Sequence, residues 1–389
     1  MKFEVFWKNP GAKTRPELRT DINCDYLIVG GGISGVSTAY ALAKHGAKNI
    51  VLVDKYTVGS GATGQAAGTL VMRAERELLD LIKEYGHKKA ADFWEQTHQA
   101  LREIKNIADD EAMKCEYEVM DTLACGFKRK TFGDIRAEYA AEKKLEPSTK
   151  FLEGDALKAE INSPLFDHGM LSSEHGFSVN PLKFIQEFSE IVEKHGVKIY
   201  ENTKVIRTKD GQADTEHGKI NYKKIIWAID SEHASSEIKN LKTTIIVTRP
   251  LTATEIERTG FAKRRKIVWD SRKNENYFKL THDNRLLVGF GGVVVHKKNK
   301  QTDPHHPHLK QLQTFVKKLF PYLDLDIEYA WSGHFGVRQH YSSGPLVHIH
   351  GNEATIAGCG SQVFCYMAAK HVANKLMSKP SALDGFWNT

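Results

Sequence analysis

Two short continuous apolar runs, residues 25–29 and 50–53, flank a stretch in which Ile33, Val36, Tyr40 and Ala43 recur at helical spacing. Runs of this kind predict buried parallel strands with a helix crossing between them. The first run leads into Gly30-x-Gly32-x-x-Gly35, and the second ends on Asp54. Strand, glycine turn, helix, strand and acid stand in the order that a dinucleotide-binding unit requires. Gly30 allows the tight turn, Gly32 lets a pyrophosphate approach the backbone, and Gly35 lets helix and strand pack closely. The helix amino terminus then faces the phosphate charge. Asp54 is placed to accept hydrogen bonds from a ribose diol, and it disfavours a 2′-phosphate.

Beyond this unit the pattern changes several times. Residues 1–20 are polar, with Pro10, Gly11 and Pro16, and predict an extended lead-in. Residues 74–112 carry Leu78, Leu81, Ile82, Phe93, Trp94, Leu101 and Ile104 at helical spacing, which predicts two helices. Strands are predicted over 117–127 and 165–172, with a helix near 131–145. Asn180-Pro181 caps a further helix, with Phe184, Ile185, Phe188, Ile191 and Val192 inward and His195-Gly196 as its stop. Strands follow at 197–200, 203–208, 215–220 and 225–229. From 243 to 295 the chain reads as strands and turns, then as helix over 308–320, strands at 325–331 and 353–357, and a last helix over 362–378.

The predicted fold is α/β: a Rossmann-like nucleotide-binding domain of the glutathione-reductase type, built from separated segments. An antiparallel sheet with helices is inserted into it as a substrate domain. The expected division is a lead-in over 1–24, a nucleotide domain from 25–80, 175–242 and 336–389, and a cap from 81–174 and 243–335.

Composition narrows the class. The chain has 389 residues, 26% charged and 41% apolar, as in an ordinary globular enzyme. The net charge of +7 is spread along it, and its densest run, Lys263–Lys266, has no interleaved aromatics. That run reads as a solvated face, and no nucleic-acid partner is expected. Five cysteines form no CxxC pair, which points to reduced thiols and a cytoplasmic location. The first 21 residues lack the apolar core of a signal peptide. No run reaches the roughly 18 apolar residues of a membrane span, so no integral membrane segment is expected. The stretch His305-His306-Pro307-His308 reads as an exposed loop, and no metal site is expected.

A second glycine cluster, Gly59 to Gly68, follows Asp54 closely and lets backbone lie against a planar or phosphate-bearing ligand. With it, the sequence GGGISGVSTAYAL…VLVDK…GSGATGQAAG resembles the amino terminus of the D-amino-acid oxidase superfamily. The similar branch is that of glycine, sarcosine and gamma-glutamylputrescine oxidases. The resemblance continues through residues 165–205, 265–292, 318–347 and 354–377. It covers about Asp25 to Leu376.

This resemblance implies FAD and the oxidation of a C–N bond in a small amine or amino acid. Hydride would pass to flavin N5, the imine would hydrolyse, and oxygen or another acceptor would reoxidise the flavin. Gly30, Gly32, Ile33, Ser34 and Gly35 would hold the pyrophosphate. Asp54 and Lys55 would meet the adenosine, and Val205 the adenine. Ser60, Gly61, Ala62, Thr63, Gln65, Ala66, Ala67 and Gly68 would run along the flavin. Ala228 would sit beside the cofactor after the last strand, and Gly358, Gly360, Ser361, Gln362 and Val363 by the pyrimidine end. Tyr277 would face the substrate or be an ordinary strand aromatic. Lys279 would pair with a substrate carboxylate or be solvated. Arg338 would clamp a carboxylate. His334 and His340 are pocket candidates or structural histidines.

Several positions depart from the branch's pattern. Gln65-Ala66 replaces arginine-asparagine or a flavin-linking histidine, and no cysteine stands near 336–340, so the FAD is expected to be non-covalent. Asp230 stands where glycine is usual and would bring negative charge near the phosphate. Val363 replaces a glycine, which predicts an altered closing turn. An FAD-binding scaffold without turnover is therefore the alternative reading, and an NAD-dependent dehydrogenase a third. Oligomeric state is left open.

Overall fold

The computed structural model describes residues 1–72, 77–127, 132–230, 237–271, 275–295, 307–339 and 344–387. In chain order the elements begin with β1 (Ile22–Val29), α1 (Ile33–Lys44), β2 (Ile50–Val53), α2 (Ala62–Gln65), β3 (Thr69–Val71), α3 (Leu78–Asp110) and β4 (Glu118–Gly126). They continue with α4 (Phe132–Leu145), β5 (Lys150–Glu153), α5 (Gly154–Glu160), β6 (His168–Ser178), α6 (Pro181–Lys194), β7 (Lys198–Tyr200), β8 (Arg207–Lys209) and β9 (Gln212–Asp214). Next come β10 (Lys219–Trp227), β11 (Ile238–Pro250), α7 (Ala253–Thr259), β12 (Lys266–Asp270), β13 (Asn276–Leu280) and β14 (Arg285–Val294). The last are α8 (Pro307–Leu319), β15 (Ile327–Arg338), β16 (Leu346–His350), β17 (Glu353–Ala357) and α9 (Gln362–Leu376).

One sheet has the order β16-β17-β10-β1-β2-β7, parallel from β17 to β7 with β16 as an antiparallel edge. All four residues of β2 are buried, which is why that strand reads as an unbroken apolar run. Helices α1, α6 and α9 cover one face through Val36, Phe184, Ile185, Phe188 and Val372. Among the described residues no helix covers the other face: Leu27, Val29, Val51 and Val53 pack under Ala213 of the β8–β9 hairpin and Leu18 of the lead-in.

The second sheet has the order β15-β11-β14-β13-β12-β4-β6-β3, with β5 on β6. It is mixed rather than purely antiparallel, because β12 pairs with β4 in parallel. That pair joins two strands distant in sequence, so no hairpin forces an antiparallel arrangement. Helices α5, α7 and α8 lie with its Phe278 and Val288 face, packed with Leu157, Phe261, Leu312 and Phe315. Strand β3, inside residues 25–80, pairs with this sheet through β6.

Other expectations change in detail. The two helices predicted over 74–112 meet at Gly86, whose φ of 76° interrupts α3. The strands predicted at 215–220 and 225–229 give way to one, β10, which runs from Lys219 to Trp227 and pairs along its length with β1. The run Lys263–Lys266 is not simply a solvated face. Lys266 is fully buried and paired with Glu160 at 2.9 Å, and Arg264 meets Asp121 and Glu174.

The lead-in is polar in composition but tied down. Lys2 bridges to β15, and Trp7, Arg15 and Leu18 are buried. The Arg15 guanidinium donates to Ser189 Oγ at 2.6 Å, to Glu193 at 2.9 Å and to Glu201 at 3.4 Å. Arg15→Ala strands the buried Glu201 carboxylate, and is expected to cost about 3 kcal/mol of stability. A chemical denaturation midpoint unchanged from wild type would show that the lead-in contributes nothing to the fold.

Candidate functional site

The glycine turn is defined by what a side chain would strike. At Gly30, with φ of +117°, a Cβ would lie 2.3 Å from the Ala228 carbonyl oxygen. At Gly35 it would lie 1.9 Å from the Gly30 carbonyl oxygen. Strands β1 and β10 and helix α1 therefore meet where only hydrogen fits. Gly32 caps α1 without a side-chain hydrogen bond, and Ile33 N donates to Thr63 Oγ1 at 3.1 Å. Ser34 follows in the first turn of α1. Asp54 ends β2, and its two carboxylate oxygens accept from Gly31 N and Tyr56 N, each at 2.7 Å. Burial raises its pKa while both backbone bonds act to lower it. Each oxygen keeps a lone pair for a ribose hydroxyl. Lys55 lies over the Tyr56 ring, and Val205 packs near this end of the sheet.

The loop from Ser60 to Gly68 is held from both sides. Gln65 Nε2 donates to Ser60 O at 2.8 Å. Two indoles grip successive carbonyls: Trp331 Nε1 donates to Gln65 O at 2.9 Å, and Trp7 Nε1 to Ala66 O at 2.7 Å. Gly68 is at φ +68°, with a virtual Cβ 2.1 Å from Val179 O. Neither tryptophan was expected at the site. Trp331 lies within the resembling stretch 318–347, and Trp7 is marked only by an aromatic pair in a polar lead-in.

Facing this loop is the second sheet. Tyr277, Gly289, Ile245 and Trp331 stand in one row across four strands, and Lys279, Leu287, Val247 and Tyr329 in the next. Positions two apart on a strand share a face, so Tyr277 and Lys279 point the same way. The Tyr277 ring lies across Gly289, where a Cβ would come within 2.1 Å of it. Burial pushes the Tyr277 phenol up to about 12, so it is a neutral donor at physiological pH. Lys279 is not solvated. It is fully buried, and Nζ donates to Gly68 O at 2.6 Å and to Ser178 Oγ at 2.5 Å. Burial pushes its ammonium down to about 7, against the pull of Glu118 and Glu116.

Arg338 is not brought to this pair. On β15 it alternates with Val337 and so falls on the other pleat face from Trp331, and its guanidinium meets Glu237 at 3.2 Å. His334 shares that other face. His340, His305 and His306 lie outside the described residues, and His308 stacks on Phe290. The Asp230 carboxylate accepts from Gly336 N at 3.0 Å, so its charge is bound to strand backbone rather than aimed at phosphate. Val363 sits buried in the first turn of α9 with ordinary helical backbone, so replacing glycine there strains nothing. Ser361 caps that helix by accepting from Val363 N at 3.2 Å. Gly358, at φ +65°, sets the turn against Ile238, and Gly360 follows it.

These residues fit a dinucleotide. A cradle that side chains would fill lies at the uncapped amino terminus of α1. Gln362 Nε2 reaches Thr63 O at 3.4 Å, and its Oε1 is buried without a hydrogen bond, an acceptor left for a ligand donor.

The family profile described as DAO, FAD dependent oxidoreductase, matches residues 25–374. The chain is 28% identical over 210 residues to YhfW of Bacillus subtilis (strain 168), provisionally named a Rieske 2Fe-2S iron-sulfur protein. That match covers 54% of this chain and 40% of YhfW. It is 27% identical over 335 residues to gamma-glutamylputrescine oxidoreductase of Escherichia coli (strain K12), covering 82% of this chain and 75% of that one. In structure it resembles glycine oxidase from Geobacillus kaustophilus, with a TM-score of 0.78 at 17% identity over 94% of this chain and 98% of that one. The last likeness is one of fold. No helix among the described residues is long and apolar enough to cross a membrane.

Proposed function

The chain belongs to the DAO family of FAD-dependent oxidoreductases, and from that premise we propose that it oxidises a C–N bond of a small amine or amino acid. The observation that carries the reading is the pair of half-buried Tyr277 and buried Lys279, set on one sheet face against the glycine loop. FAD, when bound, supplies the acceptor for the electrons and hydrogen removed from that bond. Residues 25–80, 175–242 and 336–389 would bind it without a covalent link, and residues 81–174 and 243–335 would cap the substrate.

The chain's own groups handle the amine and its proton. An amine gives up hydrogen from carbon only as the neutral base, because an ammonium has no lone pair to drive the loss. A buried pocket depresses an amine's pKa. A neutral phenol at Tyr277 adds no negative charge that would hold the ammonium form. Lys279, poised near neutrality, takes or returns a proton at Nζ while Gly68 O and Ser178 Oγ fix its position. The indoles of Trp7 and Trp331 position the loop and help to exclude water. The names of the relatives support the substrate class, one an oxidoreductase of a polyamine derivative and one an oxidase of an amino acid. The electron acceptor is oxygen or another oxidant, and the reading places the chain in the cytoplasm, where its five cysteines stay thiols.

Anaerobic titration of the FAD-loaded protein with secondary amines, primary amines, D-amino acids and polyamine derivatives tests the proposal. Bleaching of the visible spectrum by one class is expected, and aeration then separates an oxidase, which forms peroxide, from a dehydrogenase. Yellow protein that no amine bleaches would overturn turnover in favour of the scaffold. Tyr277→Phe is expected to lower kcat about a hundredfold with FAD retained. Asp54→Ala is expected to weaken FAD about a hundredfold by removing its charged acceptor. The opposite pattern, with flavin lost from the tyrosine variant alone, would misplace both residues.

A further inference from the structure

We propose that His98, Glu146 and His175 form a binding site for one divalent transition-metal ion of the zinc class, tying the helix layer to the second sheet. The three residues come from α3, from the end of α4 and from β6, so no short sequence motif announces them. Their ligand atoms all lie within 4.8 Å of one another. His98 Nε2 is 2.8 Å from Glu146 Oε1, and His175 Nε2 is 3.6 Å from Glu146 Oε2. The two imidazoles meet edge to face, with centroids 5.1 Å apart and planes at 90°, so both nitrogens converge on the carboxylate without stacking.

A second observation points to a ligand. His98 Nε2 is buried and, despite its closeness to Glu146, makes no hydrogen bond. The nitrogen is near the carboxylate but not aligned to donate to it, an arrangement a metal satisfies and a proton does not. Two imidazole nitrogens and one carboxylate oxygen are the donors zinc takes, with a fourth position left for water. They suit calcium or magnesium poorly, since those ions prefer oxygen throughout. Arg102 stands close by but is engaged by Glu95 at 2.5 Å on the exposed face of α3.

The placement implies a structural role. Along β6, His175 and Phe177 face α3, whereas Ser178 lies on the opposite pleat face and meets Lys279. An ion there would cross-link α3, α4 and β6 behind the sheet. The inference therefore stands apart from the proposed amine chemistry, and its test does not depend on turnover.

The test uses the full chain with FAD, expressed without a polyhistidine tag, stripped with chelator and desalted. Cobalt(II) is titrated in as a visible-absorbing probe, and zinc is then used to displace it. One cobalt per chain is expected, with a d–d band lost on zinc addition. His98→Ala and His175→Ala should each weaken binding at least about tenfold. The melting midpoint of wild type should rise with zinc, and that of the variants should not. Should an alanine variant fail to fold, Glu146→Gln keeps the side-chain shape and should weaken cobalt binding to a similar extent. Folded, FAD-bound wild type that takes up no cobalt would overturn the site, as would binding that every variant retains unchanged.

Discussion

Gly35→Val is expected to leave the protein without FAD, the largest effect of any single change in the cradle. A Cβ at position 35 would sit 1.9 Å from the carbonyl oxygen of Gly30, which is backbone and cannot swing away. Helix α1 would have to lift off the end of β1, taking its amino terminus out of the phosphate position. Forcing such overlap costs about 1–3 kcal/mol in ordinary cores, and more where the obstacle is main chain. Gly30 cannot absorb the shift, because its φ of +117° and the nearby Ala228 oxygen already hold it. Flavin absorbance per protein and FAD titration check the result, with affinity expected to fall more than about a hundredfold. Gly11→Ala is the control, since its Cβ would meet nothing closer than 3.9 Å. An FAD affinity near that of wild type in Gly35→Val would show that this turn is not the phosphate cradle.

Lys279→Met is expected to abolish the pH dependence that this lysine imposes on stability, so that wild type and variant exchange rank between low and high pH. The folded value of about 7 lies below the roughly 10.4 of an unfolded lysine. Between these values the unfolded chain binds a proton that the folded chain does not, so wild-type stability rises with pH across that window. Below about 7 both states are protonated, and the folded state carries a desolvated charge at a cost of about 5 kcal/mol. Methionine removes that cost, so the variant should be the more stable protein at pH 6. Its advantage should shrink steadily toward pH 10. There the loss of the donor to Gly68 O and Ser178 Oγ, worth about 1–2 kcal/mol, makes wild type the more stable. Denaturation midpoints at pH 6 and pH 10 test the crossover. A stability difference that does not vary with pH would remove Lys279 as the titrating group. In the FAD-loaded enzyme the same variant should also lose any kcat limb near pH 7.

The parts of the site legible in the sequence are those whose physics is local. The glycine turn, α1 and Asp54 lie within one short window, and their meaning follows from backbone sterics and helical period. The Asn180-Pro181 start of α6 was legible for the same reason, since the side chain caps Lys183 N three residues on. What failed was the inference from a residue's type to its surroundings. Lysine at 279 suggested a solvated cation because lysine is seldom buried, yet strand pairing carries it under a carbonyl 211 residues away. Asp230 and Val363 looked like damage to a cofactor site. Asp230 keeps a left-handed backbone, with φ of 54°, and its carboxylate is taken up by a strand amide, while Val363 is accommodated in a helix.

The sequence by itself therefore determined the nucleotide cradle, the alternation of strand and helix, and the resemblance that extends along most of the chain. Only the tertiary structure decided which distant side chains meet. It brought Trp7 and Trp331 onto the same loop, set Lys279 under Gly68 O and Ser178 Oγ, turned Arg338 to Glu237, and gathered His98, Glu146 and His175 from three elements. The reason is physical. Periodicity and turn chemistry act over a few residues and are written in the chain. Burial, by contrast, depends on tertiary placement, and on the strands a register shift of one position would send Lys279, Trp331, Arg338 and His175 to the opposite face.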